Sequence, residues 1–168
     1  MDSAKPHRRP DWSLRAAAPE DEAFLYRVFA YSRERDMAGL PLPPDQREAL
    51  LRMQYRSQDA AYRFEFPTLR IEVLECGGEP AGRLITAPQP ESLWIVDIAV
   101  LPLPQAVGAG AAVLRALMAE ATATGRVLRG SVTPHNPARR LYRRLGIREH
   151  AATGAAMIPL EWRPDGAG

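Results

Sequence analysis

The segment Gln105-Ala106-Val107-Gly108-Ala109-Gly110 follows an apolar run ending Ile98-Ala99-Val100-Leu101-Pro102 and opens a helical pattern through Val113-Leu114-Arg115-Ala116-Leu117-Met118. A strand that feeds a small-residue turn at a helix start makes an anion cradle. Backbone N–H groups converge there, the helix dipole adds positive potential, and the missing side chains let a phosphate approach the main chain. The amides of Val107, Gly108, Ala109, Gly110 and Ala111 are those the spacing offers to an anion, and a Cβ at Gly108 or Gly110 would obstruct it. Taken alone, the same turn would equally permit close packing of a helix on a sheet.

A second segment narrows the choice. After a strand-like Val127-Leu128-Arg129-Gly130-Ser131-Val132 comes His135-Asn136-Pro137-Ala138-Arg139-Arg140-Leu141-Tyr142-Arg143-Arg144-Leu145-Gly146-Ile147. Asn136 before Pro137 is a helix-start pair. Tyr142 offers a phenol that can give a proton to a leaving group, or simply a ring for packing with its hydroxyl at the rim. Together the two segments resemble the acetyl-CoA-binding core of the GNAT superfamily of N-acetyltransferases, closely over residues 94–148 and more loosely over residues 12–93. That family's cradle reads Gln/Arg-x-x-Gly-x-Gly/Ala, and its later helix often reads Asn-Pro-Ala-x-x-Leu-Tyr-x-x-Leu-Gly-Phe.

The resemblance implies acetyl transfer from acetyl-CoA to a primary amine by direct attack in a ternary complex. It assigns the pyrophosphate to the 107–111 amides with Gln105, and the pantetheine arm to the backbone of a splayed strand around Ile98 and Val100, paired as an added strand would be. Asn136 matches a residue that pairs with the arm, and Tyr142 matches the proton donor to the departing thiolate. This chain departs from the frequent Arg-Gly-x-Gly-x-Gly form, so two guanidinium groups that often flank the cradle are absent. Weaker CoA affinity, or compensation by Arg139 and Arg140, follows. For the base that deprotonates the amine, Asp97 stands first, because a charge inside a central strand is unexpected unless it faces a wet cleft, and Glu91 stands second. An equal alternative has Asp97 satisfying neighbouring backbone or arginine groups. The rival from another class is a GNAT-fold module that binds CoA without turnover, as a sensor or assembly component. A nucleotide-binding signalling domain is disfavoured, since no Gly-x-x-x-x-Gly-Lys-Ser/Thr segment occurs.

Composition bounds the remaining classes. At 168 residues, 46% hydrophobic and 25% charged, the chain suits one domain. No apolar run reaches the roughly 20 residues of a spanning helix, and the start of the chain lacks a signal-peptide core, so the expected location is cytoplasmic with no membrane partner. A net charge of +2 does not demand nucleic acid. Lys5 is the sole lysine, and Arg139, Arg140, Arg143, Arg144 and Arg148 crowd one segment. Cys76 reads as a half-buried strand residue, and His135 as a loop residue. With His7, His135 and His150 the only histidines, neither a metal cluster nor a triad is credible. The expected partners are acetyl-CoA and a small-molecule or peptide amine, and a homodimer is compatible with the reading.

Positioning these groups requires a mixed α/β layout: a central, mostly antiparallel twisted sheet with a splayed parallel pair, flanked by about four helices. Residues 1–11 read as a disordered leader, 12–163 as the domain and 164–168 as a tail. Strands are expected at 12–17, 69–74, 81–86, 94–101, 126–132, 147–150 and 156–162. Helices are expected from Pro19 to about Arg35, from Pro43 to before Phe64, over 108–124 and over 137–145. The third should bury Val107, Ala111, Leu114, Met118 and Ala121. An acceptor cleft is expected from residues 26–58, where Arg33 to Met37 and Arg52 to Arg56 either line it or form solvated helix faces.

Overall fold

A computed structural model describes residues 11–151 and 156–164. The expected leader therefore lies outside the described residues except for Asp11, and the expected tail except for Pro164. Asp11 is already tied to the fold, its carbonyl accepting from the Gly77 N–H at 2.8 Å.

The strands are β1 (Trp12–Ala16), β2 (Arg70–Cys76), β3 (Glu79–Pro88), β4 (Ser92–Val100), β5 (Val127–Val132), β6 (Arg148–Glu149) and β7 (Ile158–Trp162). They form one seven-stranded sheet in the order β1-β2-β3-β4-β5-β7-β6. Every pairing is antiparallel except β4 with β5. The helices are α1 (Glu22–Met37), α2 (Pro44–Glu65), α3 (Ala109–Thr124) and α4 (Arg139–Arg144). This is the expected mixed α/β class, with the single parallel pair where α3 crosses over between its strands.

Apolar residues separate to the two faces of the sheet. On one face Leu74, Leu84, Leu93 and Leu128 pack under Val113, Leu114, Leu117 and Ala121 of α3. On the other, Phe29, Met37 and Leu51 form a smaller cluster between α1 and α2, with Tyr26, Leu50 and Tyr55 against it. Phe29 is wholly buried, so Phe29→Ala is expected to cost about 3–5 kcal/mol of stability, checked by urea denaturation.

Several boundaries differ from the sequence expectation. Helix α2 continues through Phe64 to Glu65, the Phe66 N–H donating to the Tyr62 carbonyl at 2.8 Å, and stops only where Pro67 forbids another turn. Helix α4 is shorter than expected. Helix α3 starts after Gly108, so Val107 is no part of its apolar stripe and is 78% exposed. Leu114 and Ala121 are buried as expected, together with Ala109, Val113 and Leu117, while Ala111 and Met118 are only partly buried. Within Pro104–Thr124 an 18-residue window reaches a mean hydropathy of 1.3, which by length and composition alone would pass for a spanning helix. In this fold its buried stripe faces the sheet.

The strand register decides which side chains reach each face. Between β3 and β4 the pairing steps from Ile85↔Asp97 to Thr86↔Ile95, leaving Val96 as an extra residue. Such a bulge shifts the alternation of everything beyond it. Ile95, Ile98 and Val100 therefore all pack towards the α3 cluster. Trp94 meets Phe66 and Asp97 meets Arg83 on the opposite side. Further along this pair, β3 and β4 approach so closely at Gly82 that a Cβ there would lie 2.5 Å from the Ala99 carbonyl oxygen. Gly82→Ala is expected to destabilise the domain by about 1–3 kcal/mol, read as a melting temperature lower by roughly 2–4 °C per kcal/mol. An unchanged melting curve would contradict the close approach.

Candidate active site

The parallel ladder between β4 and β5 covers only Ser92↔Val127 to Ile95↔Gly130. At its last rung a Cβ on Gly130 would stand 3.1 Å from the Ile95 carbonyl oxygen, so a glycine belongs at the point where the strands part. Beyond it β4 runs on to Val100 and β5 to Val132 without pairing to each other. Residues 96–100, including Ile98 and Val100, thus present an open backbone edge towards β5. An extended molecule with amide groups can pair with such an edge as an added strand.

At the mouth of this split stands the start of α3. Gly108 is its N-cap with φ of +81°, a left-handed conformation that favours glycine, and no side chain caps the helix. The first intrahelical bond is made by the Ala112 N–H to the Gly108 carbonyl, at 3.1 Å. The N–H groups of Ala109, Gly110 and Ala111 therefore lack intrahelical partners and aim outwards with the positive end of the helix dipole. The requirement at Gly108 differs from the expected one. A Cβ there would meet nothing within 4 Å in the protein, and it is the backbone angle that calls for glycine. At Gly110 a Cβ would lie 3.9 Å from Val100 Cγ2 and 4.0 Å from Leu141 Cδ2, so the end of β4, the start of α3 and α4 meet here. Gln105 is exposed in the turn ahead of the helix, beside Gly77 of the β2–β3 turn.

Across the split, Tyr142 on α4 has its ring buried in the α3-side core. Its hydroxyl has no protein partner among the described residues, and no fully buried side-chain nitrogen or oxygen among them goes without one. The hydroxyl is therefore not wholly enclosed by protein. Burial, and secondarily the Asp97 charge, push its pKa from 10.0 up to about 12. Asp97, on the β4 side of the split, contributes the smaller part of that shift.

Asp97 does not stand alone. Its Oδ2 accepts from Arg83 Nε at 2.7 Å, and Arg83 is 3% exposed against 24% for the Asp97 side chain. The arginine-satisfying alternative holds for that oxygen, and Oδ1 is left for other work. Glu91 sits at the closed end of the pair, where its carbonyl accepts from the Val127 N–H at 3.0 Å. Six strand residues, roughly 20 Å, separate it from Asp97.

Ahead of α4, the Asn136 Oδ1 accepts from the Ala138 N–H at 2.9 Å, which closes the turn before the helix rather than capping it, since the N-cap is Ala138 with no side-chain cap, and the Asn136 amide NH2 has no protein partner among the described residues. Arg139 is committed elsewhere. Its Nε and Nη2 each lie 2.9 Å from a carboxylate oxygen of Glu149, and Nη1 donates to the Pro134 carbonyl. A forked pair of this kind is a directional clamp, and it ties α4 to β6. Arg140 and His135 are exposed.

The two arginines beside Glu149, Arg139 first and Arg143 second, hold its carboxyl from 4.5 down to about 2. Because the folded state favours the ionised form, the clamp's contribution is complete above the unfolded pKa and is lost as pH falls towards the folded one. Glu149→Gln is therefore expected to lower the melting temperature at neutral pH, with the difference from the parent protein closing between about pH 4.5 and 2. Equal melting temperatures at neutral pH would rule the clamp out.

On the α1–α2 face, a cleft of about 390 Å³ lies over β2 and β3, walled by residues 17–25 and 55–63, with Arg83 at its floor. It is built from the start of α1 and the second half of α2 rather than from the expected 26–58 segment. Tyr55 and Gln58 are common to both. Arg33 pairs with Asp36 at 3.4 Å and Arg52 with Glu48 at 2.7 Å, while Arg52 also stacks 4.2 Å over the Tyr26 ring, as members of charged helix faces do. The sequence reading missed Arg83 and Tyr62, which lie outside that segment. Its one available signal was a charge at position 83 in the middle of an otherwise apolar hairpin strand.

A split parallel pair, a glycine-led helix at its mouth and a tyrosine-bearing helix across it define the fold of the GNAT acetyltransferases. The model of the acetyltransferase (GNAT) family matches residues 31–147. The chain belongs to that family.

Solved structures share the architecture. A PaiA N-acetyltransferase of Thermoplasma acidophilum in complex with coenzyme A superposes with a TM-score of 0.69 at 14% identity, over 92% of this chain and 99% of that one. An acetyltransferase of Thermus thermophilus gives 0.66 at 24% identity, over 92% and 97%. A GNAT family acetyltransferase of Elizabethkingia anophelis with acetyl-CoA bound gives 0.56 at 15% identity, over 93% and 100%. At these identities the likeness is one of fold. A comparison with curated protein sequences finds no match.

Proposed function

We propose that the chain transfers an acetyl group from acetyl-CoA to the nitrogen of a primary amine, by direct attack in a ternary complex. The observation that carries this reading is the split between β4 and β5, with uncapped amides at its mouth and both Asp97 and the Tyr142 hydroxyl at its sides. The fit to the donor follows from these groups. The amides of Ala109, Gly110 and Ala111 suit a pyrophosphate, the open edge of 96–100 suits the amide-bearing arm, and the Asn136 NH2 is free to join it. Acetyl-CoA contributes the activated acyl thioester.

The acceptor arrives as an ammonium and must lose a proton before it can attack. Asp97 receives that proton on Oδ1, directly or through water, since Oδ2 is held by Arg83. The nitrogen lone pair forms the new C–N bond as the C–S bond breaks, and the nitrogen gives up its second proton to solvent. The sulfur leaves with the electron pair and takes a proton from Tyr142, which is refilled from solvent. A pKa of about 12 keeps that phenol protonated at every physiological pH.

Purified protein incubated with acetyl-CoA and a panel of primary amines should release free CoA thiol with at least one of them. A second reading, a CoA-binding module without turnover, is favoured by the engagement of Arg83 on Asp97 and of Arg139 on Glu149. It would replace the first if CoA saturates the protein and no amine elicits thiol release.

A further inference from the structure

Arg83 is almost wholly buried, yet its guanidinium is only partly engaged. Nε donates to Asp97 Oδ2 at 2.7 Å and Nη2 to Gln58 Oε1 at 3.1 Å, whereas Nη1 donates to no protein group among the described residues. Since no fully buried polar side-chain atom among them lacks a partner, Nη1 must open onto the cleft that Arg83 lines. The Tyr62 hydroxyl, in the same lining, is likewise without a protein partner among the described residues. Gln58 accepts through its oxygen and keeps its NH2 free. Three donors therefore line the same cleft, on residues grouped about Arg83 and its partner Asp97.

The charges at that point are matched in a particular way. Arg83 and Asp97 form a neutral pair. A bare ammonium beside Asp97 would leave two cations sharing one carboxylate in a largely desolvated place, which is costly. A molecule carrying an ammonium and a carboxylate on neighbouring atoms matches the pair charge for charge. Away from the floor, the lining is apolar at Leu25, Ile71 and Ile85 and ends at Glu22, whose carboxylate receives only a long bond of 3.3 Å from the Tyr55 hydroxyl. Asp59, by contrast, is held by Arg63 at 2.8 Å. The volume of about 390 Å³ suits a small molecule.

We infer that the acceptor is a free α-amino acid, its carboxylate taken by Arg83 Nη1 and the Tyr62 hydroxyl, its amino group beside Asp97, and its side chain laid along Leu25, Ile71 and Ile85 towards Glu22. The inference rests on the acetyl-transfer reading above. It separates free amino acids from peptide N-termini and simple amines, which lack a carboxylate next to the reacting nitrogen. Glu22 in turn favours side chains that end in a donor or a cation.

The test compares each acceptor as the free acid, the amide and the decarboxylated amine: L-lysine, lysinamide and cadaverine, then L-tyrosine, tyrosinamide and tyramine, all by CoA thiol release. The free acids should exceed their partners in kcat/KM by roughly 10–100-fold, as for a hydrogen-bonded charge pair. Tyr62→Phe should raise KM about tenfold more for the free acids than for tyramine, with CoA affinity unchanged. Amides or amines used as well as the acids would overturn the amino-acid inference and leave acetyl transfer standing. If no acceptor is acetylated, the transfer reading fails, and calorimetry of L-lysine and L-tyrosine against the CoA-saturated protein still decides the cleft. Binding weakened by Tyr62→Phe supports the site, and no binding overturns it.

Discussion

Tyr142→Phe is expected to lower acetyl transfer by roughly 10²–10⁴-fold, the loss that follows removal of a positioned general acid, with CoA affinity and melting temperature almost unchanged. The ring is 6% exposed and packs in the α3-side core, and phenylalanine keeps those contacts. The hydroxyl has no protein partner among the described residues, so its removal leaves no orphaned group behind. The pH profile gives a second handle. With its pKa pushed up to about 12, the phenol stays protonated past the value of 10.0 at which an unperturbed tyrosine is half ionised. Transfer by the parent protein should therefore show no alkaline limb near pH 10 attributable to this donor. A Tyr142→Phe protein with full turnover would reduce Tyr142 to a packing residue.

Gly108→Glu should abolish measurable CoA binding, a loss above about 100-fold by calorimetry. The substitution places a carboxylate at the N-cap, where the open helix amides and dipole favour a bound anion, and the two negative charges then compete for one site. Because φ at this position is +81°, any larger residue also carries backbone strain. Gly108→Asn provides the control, since asparagine tolerates the left-handed conformation and adds no charge. The neutral variant should retain most CoA affinity. A folded Gly108→Glu protein with unchanged affinity would show that the pyrophosphate lies elsewhere.

The sites with local signatures were legible along the chain. Gly108 follows an apolar strand and is the N-cap of α3, and Tyr142 lies on α4, but Asn136-Pro137 stands in the turn ahead of α4 instead of starting it. For Asp97, a carboxylate in a central strand that needs either solvent or a partner, the structure supplies a partner, Arg83. Its partner did not read out. Arg83 lies 14 residues earlier on β3, and nothing in the alternation of either strand identifies which residue stands opposite. Arg139 shows the reverse failure. An arginine near a phosphate cradle suggested a ligand contact, and only the packing of α4 on β6 revealed that Glu149 holds it.

From the order of residues alone came the mixed α/β class, the strand-turn-helix cradle and the family resemblance, because capping, glycine conformation and hydrophobic period act over a few neighbouring residues. Tertiary structure alone set the bulge at Val96, which turns Asp97 away from Ile98 and Val100, and the end of the β4–β5 ladder at Gly130, which opens the split. It also set the crossing of α2 over β3 that makes the cleft above Arg83. These depend on the register of strands far apart in the chain and on which helix covers which face. Such choices are settled by the simultaneous packing of the whole core, to which no short stretch of sequence has access.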